Sequence, residues 1–182
     1  MLFRFLVVAA LLIGTAHAEP TPPADDMSRF MHERGLLARI GDVGEKMGTK
    51  ASELVLNSMA FLGVPYKRGG NDAQTGFDCS GFVRAIYEQT AGLLLPRKAE
   101  QQAAATEKID KKDLQPGDLV FFNTMRRAFS HVGIYVGNGK FIHSPRPGAE
   151  VRVEDMGISY WSKRFDGARR VATEEPAPLA AR

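Results

Sequence analysis

The spacing of apolar residues changes along this chain, from a helical period in its first half to alternation in its second. Before Lys112, apolar side chains recur at intervals of three and four, as in Phe82, Val83, Ile86 and Tyr87. After Lys112, the stretches "LQPGDLVFF" and "SHVGIYVGNGKFIHS" read as short strands separated by turn residues. Helices followed by antiparallel strands predict the α+β class, with N-terminal helices packed on an antiparallel sheet.

Capping residues, glycines and turn residues predict where the individual helices and strands begin and end. We expect a first helix from Thr49 to Gly63 and a second from Cys79 to Thr90, with Gly92 as its stop. The remaining expected elements are a short helix around Glu100–Thr106, a strand at Leu119–Phe122, a hairpin around "GNG", and strands at "EVRV" and "ARRV".

The first 18 residues, "MLFRFLVVAALLIGTAHA", have the pattern of a cleaved export signal. An arginine precedes an apolar stretch that is too short to span a membrane, and small residues lead to an expected cleavage after Ala18. We therefore expect a periplasmic or extracellular protein with no stable membrane insertion once the signal is removed.

The rest of the chain divides into three parts. Residues 19–48 start with the proline-rich "EPTPPADD" and continue as a weakly helical extension, residues 49–172 form the domain, and residues 173–182 are a polar tail. Apolar residues make up 44% of the 182-residue chain, which is enough for one core. The net charge of +3 comes without an arginine-rich run, so nucleic-acid binding is not expected.

Cys79 is the only cysteine, so it cannot form a disulfide within the chain. It follows Asp78, a good N-cap residue, and therefore occupies the first position of the second helix. The amide groups and dipole at a helix start favour an anion and are expected to lower the pKa of this thiol. A reactive thiol and a small buried apolar residue are both consistent with this segment.

Two histidines, His131 and His143, lie on the two arms of the expected hairpin. A two-residue loop, Asn138-Gly139, would place Ile134 opposite His143 and turn the two histidines to opposite faces. We expect instead the three-residue loop Gly137-Asn138-Gly139, which gives a cleaner apolar face and places Val136 opposite Lys140 and Gly133 opposite His143. Both histidines then share one face of the sheet, close enough for their side chains to meet. One imidazole would accept the thiol proton and the other would orient it, and spacing alone leaves the assignment open.

The chain resembles the NlpC family of papain-like cell-wall peptidases. The resemblance covers roughly Ser52–Val171 and rests on an ordered set of motifs: "LGVPYKRGG", "GFDCSGFV", "LPR", "LQPGDLVFF", "HVGIYVGNGKFIHS" and "YWSKRFDGARRV". It implies a papain-like α+β fold and a cysteine endopeptidase that acts on peptidoglycan stem or cross-bridge peptides. We expect such an enzyme to need no cofactor and no metal.

The resemblance also implies residue roles. Cys79 would be the nucleophile, His131 the base and His143 the third polar residue. Tyr66 would line the site and bind the substrate or the oxyanion. Asp78 and Ser80 match positions that contact a substrate amine in some members of the family. Each of these three also has a purely structural interpretation, as a core, capping or helix-turn residue. Arg97 of "LPR" is expected to be structural.

Three other functions remain open at the level of sequence. An amidase or acyltransferase would use the same residues and differ only in the bond attacked or the acceptor of the acyl group. A metal-binding module could use one cysteine and two histidines, although no closely spaced ligand pair is present. An inactive envelope-binding protein would keep the fold, but the full set of three polar residues argues against it.

Overall fold

The computed structural model describes residues 49–172. The expected signal sequence (1–18), the extension (19–48) and the tail (173–182) lie outside the described residues. The helices are α1 (Thr49–Met59), α2 (Cys79–Ala91), α3 (Ala99–Ala104) and α4 (Ser159–Ser162), with a 3₁₀ turn at Lys111–Asp113. The strands are β1 (Asn71–Asp72), β2 (Gly76–Phe77), β3 (Glu107–Ile109), β4 (Leu119–Phe122), β5 (His131–Gly137), β6 (Lys140–His143), β7 (Arg152–Asp155) and β8 (Phe165–Arg170).

Six of these strands form one antiparallel sheet in the order β3-β8-β4-β5-β6-β7, while β1 and β2 form a separate two-stranded ribbon. This confirms the α+β class and the order of helices before the main strands. No helix among residues 49–172 has the length and apolar character needed to cross a membrane.

Each face of the six-stranded sheet has its own apolar core, because side chains alternate along every strand. On one face, α1 and α2 pack through residues such as Leu54, Phe82 and Ile86. On the other face, Phe122 and Phe141 pack against Trp161 of α4. The inward face expected for α2 is confirmed.

Helix α2 has well-defined ends. The Asp78 side chain accepts a hydrogen bond from the Gly81 amide at 2.8 Å, and Gly92 closes the helix in a left-handed conformation with φ 68°. The buried amide of Gln102 on α3 donates to the carbonyls of Ser80 (3.0 Å) and Pro96 (2.9 Å). These contacts fix the position of the first turn of α2, which contains Cys79.

The β5–β6 hairpin reaches the expected register by a different route. Its loop has two residues, Asn138 (φ 54°) and Gly139 (φ 72°), and Gly137 is opposite Lys140. The expected three-residue loop is therefore wrong. A bulge between Tyr135 and Gly137 takes up the additional residue, so Tyr135 pairs with Phe141 and the histidines still share a face.

Several boundaries differ from expectation. Helix α1 ends at Met59, four residues before Gly63, because the chain continues in turns. The strand expected at "EVRV" lies at Arg152–Asp155, and the one expected at "ARRV" lies at Phe165–Arg170. The short elements β1, β2, β3 and α4 were not expected, since two to four residues carry too little periodicity to be recognised.

Gly133 lies beside His143, and a side chain there would disturb the hairpin. A Cβ atom at Gly133 would lie 2.7 Å from Cδ2 of Phe141 and 2.8 Å from the carbonyl oxygen of Ile142. We predict that Gly133→Ala lowers the free energy of unfolding by about 1–3 kcal/mol, because overpacking forces neighbouring groups apart. Urea unfolding measures this change.

Gly157→Ala is the matched control. Its Cβ would meet only the exposed Asp155 carboxylate, at 3.0 Å, which can move aside. Equal stability losses for the two variants would contradict the packing that we assign to Gly133.

Candidate active site

The Cys79 side chain lies at the first turn of α2, half buried at the edge of the larger apolar core. Asp78 fixes this turn. Besides capping α2, its carboxylate binds Arg97 through both oxygens, at 2.9 and 2.6 Å. The expected helix start and N-cap are confirmed, and Arg97 has the structural role expected for it.

Two observations place the chain segment of the thiol next to the segments of the two histidines. The backbone N–H of Val132, the residue after His131, is close enough to the Cys79 sulfur to lower its pKa. The buried Ser144 hydroxyl, directly after His143, donates to the carbonyl of Phe77 at 2.7 Å. Among the described residues, however, no hydrogen bond joins the Cys79 thiol to either imidazole.

The two imidazoles are joined to each other. Nε2 of His131 lies 2.7 Å from Nδ1 of His143, and both residues are buried, with exposures of 3% and 0%. The Trp161 indole stacks on His131, with ring centroids 5.5 Å apart, and meets His143 edge-on. The structure therefore brings His131 and His143 together, as the hairpin register requires.

Glu154 extends this pair, and sequence reasoning missed it. Its Oε2 lies 3.7 Å from Nε2 of His143, and Phe141 is its cross-strand partner. Trp161 donates a hydrogen bond to Oε2, and Arg152 donates one to Oε1 at 2.5 Å. The expected strand ended at Val153, so Glu154 was left outside the sheet. Continuing the strand by one residue would have placed Glu154 across from the hairpin.

The other residues implied by the resemblance lie around the thiol. Ser80 is buried, and its hydroxyl accepts a hydrogen bond from Arg97 at 3.1 Å. Tyr66 is half buried, and its backbone N–H donates to the carbonyl of Ala149 at 2.8 Å. Tyr66 lies near enough for the charges of Cys79 and Asp78 to affect its hydroxyl. The structure thus clusters Tyr66, Asp78, Ser80 and Arg97 beside Cys79.

The protonation state of the thiol differs from expectation. Burial, followed by the nearby Asp78 carboxylate, raises the pKa of Cys79 to about 11. Hydrogen bonds from the backbone N–H groups of Val132, Ser80 and Cys79 itself oppose this without reversing it. The expected lowering of the pKa is wrong, because desolvation of the thiolate outweighs the stabilisation that the helix start provides.

The shifted pKa values of His131, His143 and Tyr66 also favour the neutral forms of these side chains. Burial lowers the pKa of His131 well below 6.5, and the proximity of His143 lowers it further, although Glu154 acts in the opposite direction. Burial lowers the pKa of His143 as well. Burial and the charges of Cys79 and Asp78 raise the pKa of Tyr66, so its hydroxyl remains a hydrogen-bond donor.

A metal centre would need several ligand side chains gathered around one point. Within residues 49–172, no group of three or more His, Cys, Asp and Glu side chains is arranged to hold a metal ion. The arrangement that is present, a thiol at a helix start near a hydrogen-bonded imidazole pair, suits nucleophilic attack with general-base assistance.

Comparison with known proteins agrees with this chemistry. Residues 63–170 match the model of the NlpC/P60 family. The chain is 41% identical over 138 residues to the murein DD-endopeptidase MepH of Escherichia coli (strain K12), a match that covers 74% of this chain and 51% of MepH. The chain therefore spans about half the length of that relative.

A second relative matches over nearly its whole length. The chain is 35% identical to the probable endopeptidase NlpC of Escherichia coli (strain K12), over 91% of this chain and 96% of that protein. A crystal structure of an NlpC/P60 family protein from Bacillus cereus ATCC 10987 superposes with a TM-score of 0.62 at 37% identity, covering 66% of this chain and 39% of that one.

The neutral thiol leads to a prediction about its reactivity. With a pKa of about 11, the thiolate fraction of Cys79 grows as pH rises through the neutral range. We predict that the rate of alkylation by iodoacetamide increases close to tenfold per pH unit between about pH 6 and pH 9. Because the chain has one cysteine, mass spectrometry assigns the adduct unambiguously. A rate that does not change with pH in this range would indicate a preformed thiolate–imidazolium pair instead.

The charge of Asp78 makes a separate prediction. Asp78→Asn keeps an oxygen that can cap Gly81 but removes the negative charge that raises the pKa of Cys79. It also leaves the Arg97 guanidinium, which is close enough for Cys79 to affect it, without its carboxylate partner. We predict faster alkylation of Cys79 at neutral pH in this variant, reflecting a lower thiol pKa.

Asp155→Asn, which removes an exposed carboxylate on β7, should leave the alkylation rate unchanged. An alkylation rate in Asp78→Asn equal to that of the wild type would show that Asp78 does not control the thiol.

Proposed function

Because this chain belongs to the NlpC/P60 family, we propose that it is a cysteine peptidase that hydrolyses amide bonds in peptidoglycan stem or cross-bridge peptides. The observation that most supports this proposal is the hydrogen-bonded pair of buried imidazoles on two strands that pack against α2, the helix that begins with the chain's only cysteine. The names of the relatives MepH and NlpC, both endopeptidases, agree with it.

We assign the first step to Cys79 and His131. His131 accepts the thiol proton as the sulfur attacks the carbonyl carbon of the scissile amide, and a tetrahedral intermediate forms. Since the resting thiol has a pKa of about 11 and the pKa of His131 is low, a free ion pair is disfavoured. Proton transfer is therefore coupled to attack, which moves the negative charge from sulfur to the carbonyl oxygen.

The oxyanion needs hydrogen-bond donors, and two kinds lie beside the thiol. One is the pair of backbone N–H groups of Cys79 and Ser80, which are not paired within the helix, whereas the Gly81 N–H is taken by Asp78. The other is the Tyr66 hydroxyl, whose raised pKa keeps it protonated. We therefore assign Tyr66 to binding the substrate or the oxyanion.

The intermediate then collapses. The protonated His131 donates its proton to the departing amine, the carbon–nitrogen bond breaks, and a thioester remains on Cys79. Water, deprotonated by the same imidazole, hydrolyses the thioester and restores the thiol. His143 orients the His131 ring throughout by the hydrogen bond to Nε2.

Beside the thiol, we assign Asp78 and Ser80 to the surface that faces the substrate. The Arg97 guanidinium holds their carboxylate and hydroxyl in one hydrogen-bonded group. The Asp78 carboxylate and the Ser80 hydroxyl can both accept a hydrogen bond from a substrate amine. We further propose that the protein is exported, on the basis of the signal-like residues 1–18.

The test uses purified muropeptides of defined composition. We predict that the wild-type protein releases stem-peptide fragments, and that Cys79→Ala lowers the cleavage rate by at least about a thousandfold because the nucleophile is lost. Product masses measured by mass spectrometry identify the bond that is cut. Circular dichroism and the unfolding midpoint establish that the variant is folded.

Fragment release by folded Cys79→Ala at the wild-type rate would contradict the assignment of the nucleophile. A wild-type protein that leaves every muropeptide intact would contradict the proposed substrate class.

A further inference from the structure

One ring nitrogen of the buried His143 imidazole lacks a hydrogen bond to any described residue. Nδ1 is used by the hydrogen bond to His131, whereas Nε2 is buried and has no hydrogen-bond partner within residues 49–172. The nearest carboxylate oxygen, Oε2 of Glu154, is 3.7 Å from Nε2. That distance is too long for a hydrogen bond but short enough for a strong interaction between a charge and an N–H dipole.

The Glu154 carboxylate is held in place from both sides. Arg152 donates to one oxygen and Trp161 to the other, and the side chain is 18% exposed. His143, and then Trp161 and Arg152, lower the pKa of Glu154 to about 2 against the opposing effect of burial, so the carboxylate is charged at neutral pH. The indole that binds it also stacks on His131, which connects the carboxylate to both imidazoles.

The neutral imidazole pair has two proton arrangements. In the first, His131 donates from Nε2 to Nδ1 of His143, and His143 carries its own proton on Nε2, facing Glu154. In the second, His143 donates from Nδ1 to Nε2 of His131, and its Nε2 presents a lone pair to the carboxylate. The first is attractive and the second repulsive, because the carboxylate is an acceptor only.

These arrangements differ in what they offer the thiol. Because Nε2 of His131 is bound to His143, Nδ1 is the ring nitrogen that remains for the thiol. In the first arrangement Nδ1 has a free lone pair and can accept a proton. In the second it already carries one and cannot act as a base.

We propose that Glu154 is a positioning residue that selects, through His143, the tautomer of His131 in which Nδ1 can accept the thiol proton. This role rests on the proposed function, in which Cys79 and His131 react. Glu154 acts through His143 and does not touch the reacting atoms.

Glu154 also affects the charged state that forms during attack. The titratable and charged groups that face the imidazole pair are Glu154 and Arg152 from β7, together with each imidazole itself. Glu154 favours the imidazolium and Arg152 disfavours it. Removing the Glu154 charge should therefore lower the pKa of both histidines and shift the acid limb of the activity profile to lower pH.

The first test needs no substrate. Nitrogen-15 NMR of the imidazole rings in the resting wild-type protein, at neutral pH, reports which ring nitrogens carry protons. We expect protons on Nε2 of both His131 and His143, with both Nδ1 atoms unprotonated. A proton on Nδ1 of His143 would overturn the proposal. This result does not depend on which bond, or which substrate, the enzyme cleaves.

The second test compares Glu154→Gln with Asp155→Asn, the neighbouring carboxylate on β7, whose exposed side chain accepts from the Gly157 amide. We expect Glu154→Gln to lower kcat/KM about 10- to 100-fold and to move the acid limb to lower pH, while Asp155→Asn changes neither. A merely structural role would lower activity without moving the limb.

An unshifted acid limb in folded Glu154→Gln would therefore overturn the proposal. Glu154→Asp, which keeps the charge, should retain the wild-type limb. If Glu154→Gln does not fold, a proton on Nδ1 of His143 in the wild type still overturns the proposal. If the wild type cleaves no muropeptide, the proposed substrate is wrong, and comparing the imidazole NMR of the wild type and Glu154→Gln still tests the role of Glu154.

Discussion

The hydrogen bond between Nε2 of His131 and Nδ1 of His143 is the interaction on which the site depends. It exists because the two histidines lie on neighbouring strands and on the same face of the sheet. A shift of one residue in the register would turn one imidazole to the opposite face. The bulge at Val136 sets the register, and the absence of a side chain at Gly133 leaves space beside His143.

Burial of this pair explains the electrostatics around it. Two imidazoles packed against Phe122, Phe141 and Trp161 are poorly solvated, so both remain neutral. Two carboxylates then act on the proton transfer in opposite directions. Asp78 raises the pKa of the thiol and opposes its loss of a proton, whereas Glu154 raises the pKa of His131 and favours its gain. In the mechanism proposed above, their balance would set how much of the proton transfer from Cys79 to His131 awaits attack on the substrate.

Local signals in the sequence were sufficient for the helix that begins with Cys79. Asp78 as N-cap, the apolar stripe from Phe82 to Tyr87 and Gly92 as stop lie close together in sequence, and all are confirmed. The α+β class followed from the change in period. The hairpin register was correct although its loop was not, because the apolar face of Val132, Ile134 and Ile142 determines which residues face inward.

Features that depend on distant contacts could not be predicted. The pKa of Cys79 depends on burial against elements far apart in the chain, and the local helix-start signal pointed in the wrong direction. Glu154 acquires its position from pairing between β6 and β7 and from Trp161 on a four-residue helix. The Cys79, His131 and His143 roles remain predictions that await the experiments above.

The central claim is that a neutral thiol and a neutral imidazole pair form the resting state. Proton NMR titration of His131, compared between the wild type and Cys79→Ala, tests it most directly. A neutral pair predicts a pKa for His131 below its ordinary value of 6.5 in both proteins. A His131 pKa above 6.5 in the wild type that falls when the thiol is removed would show a thiolate–imidazolium pair and contradict the account.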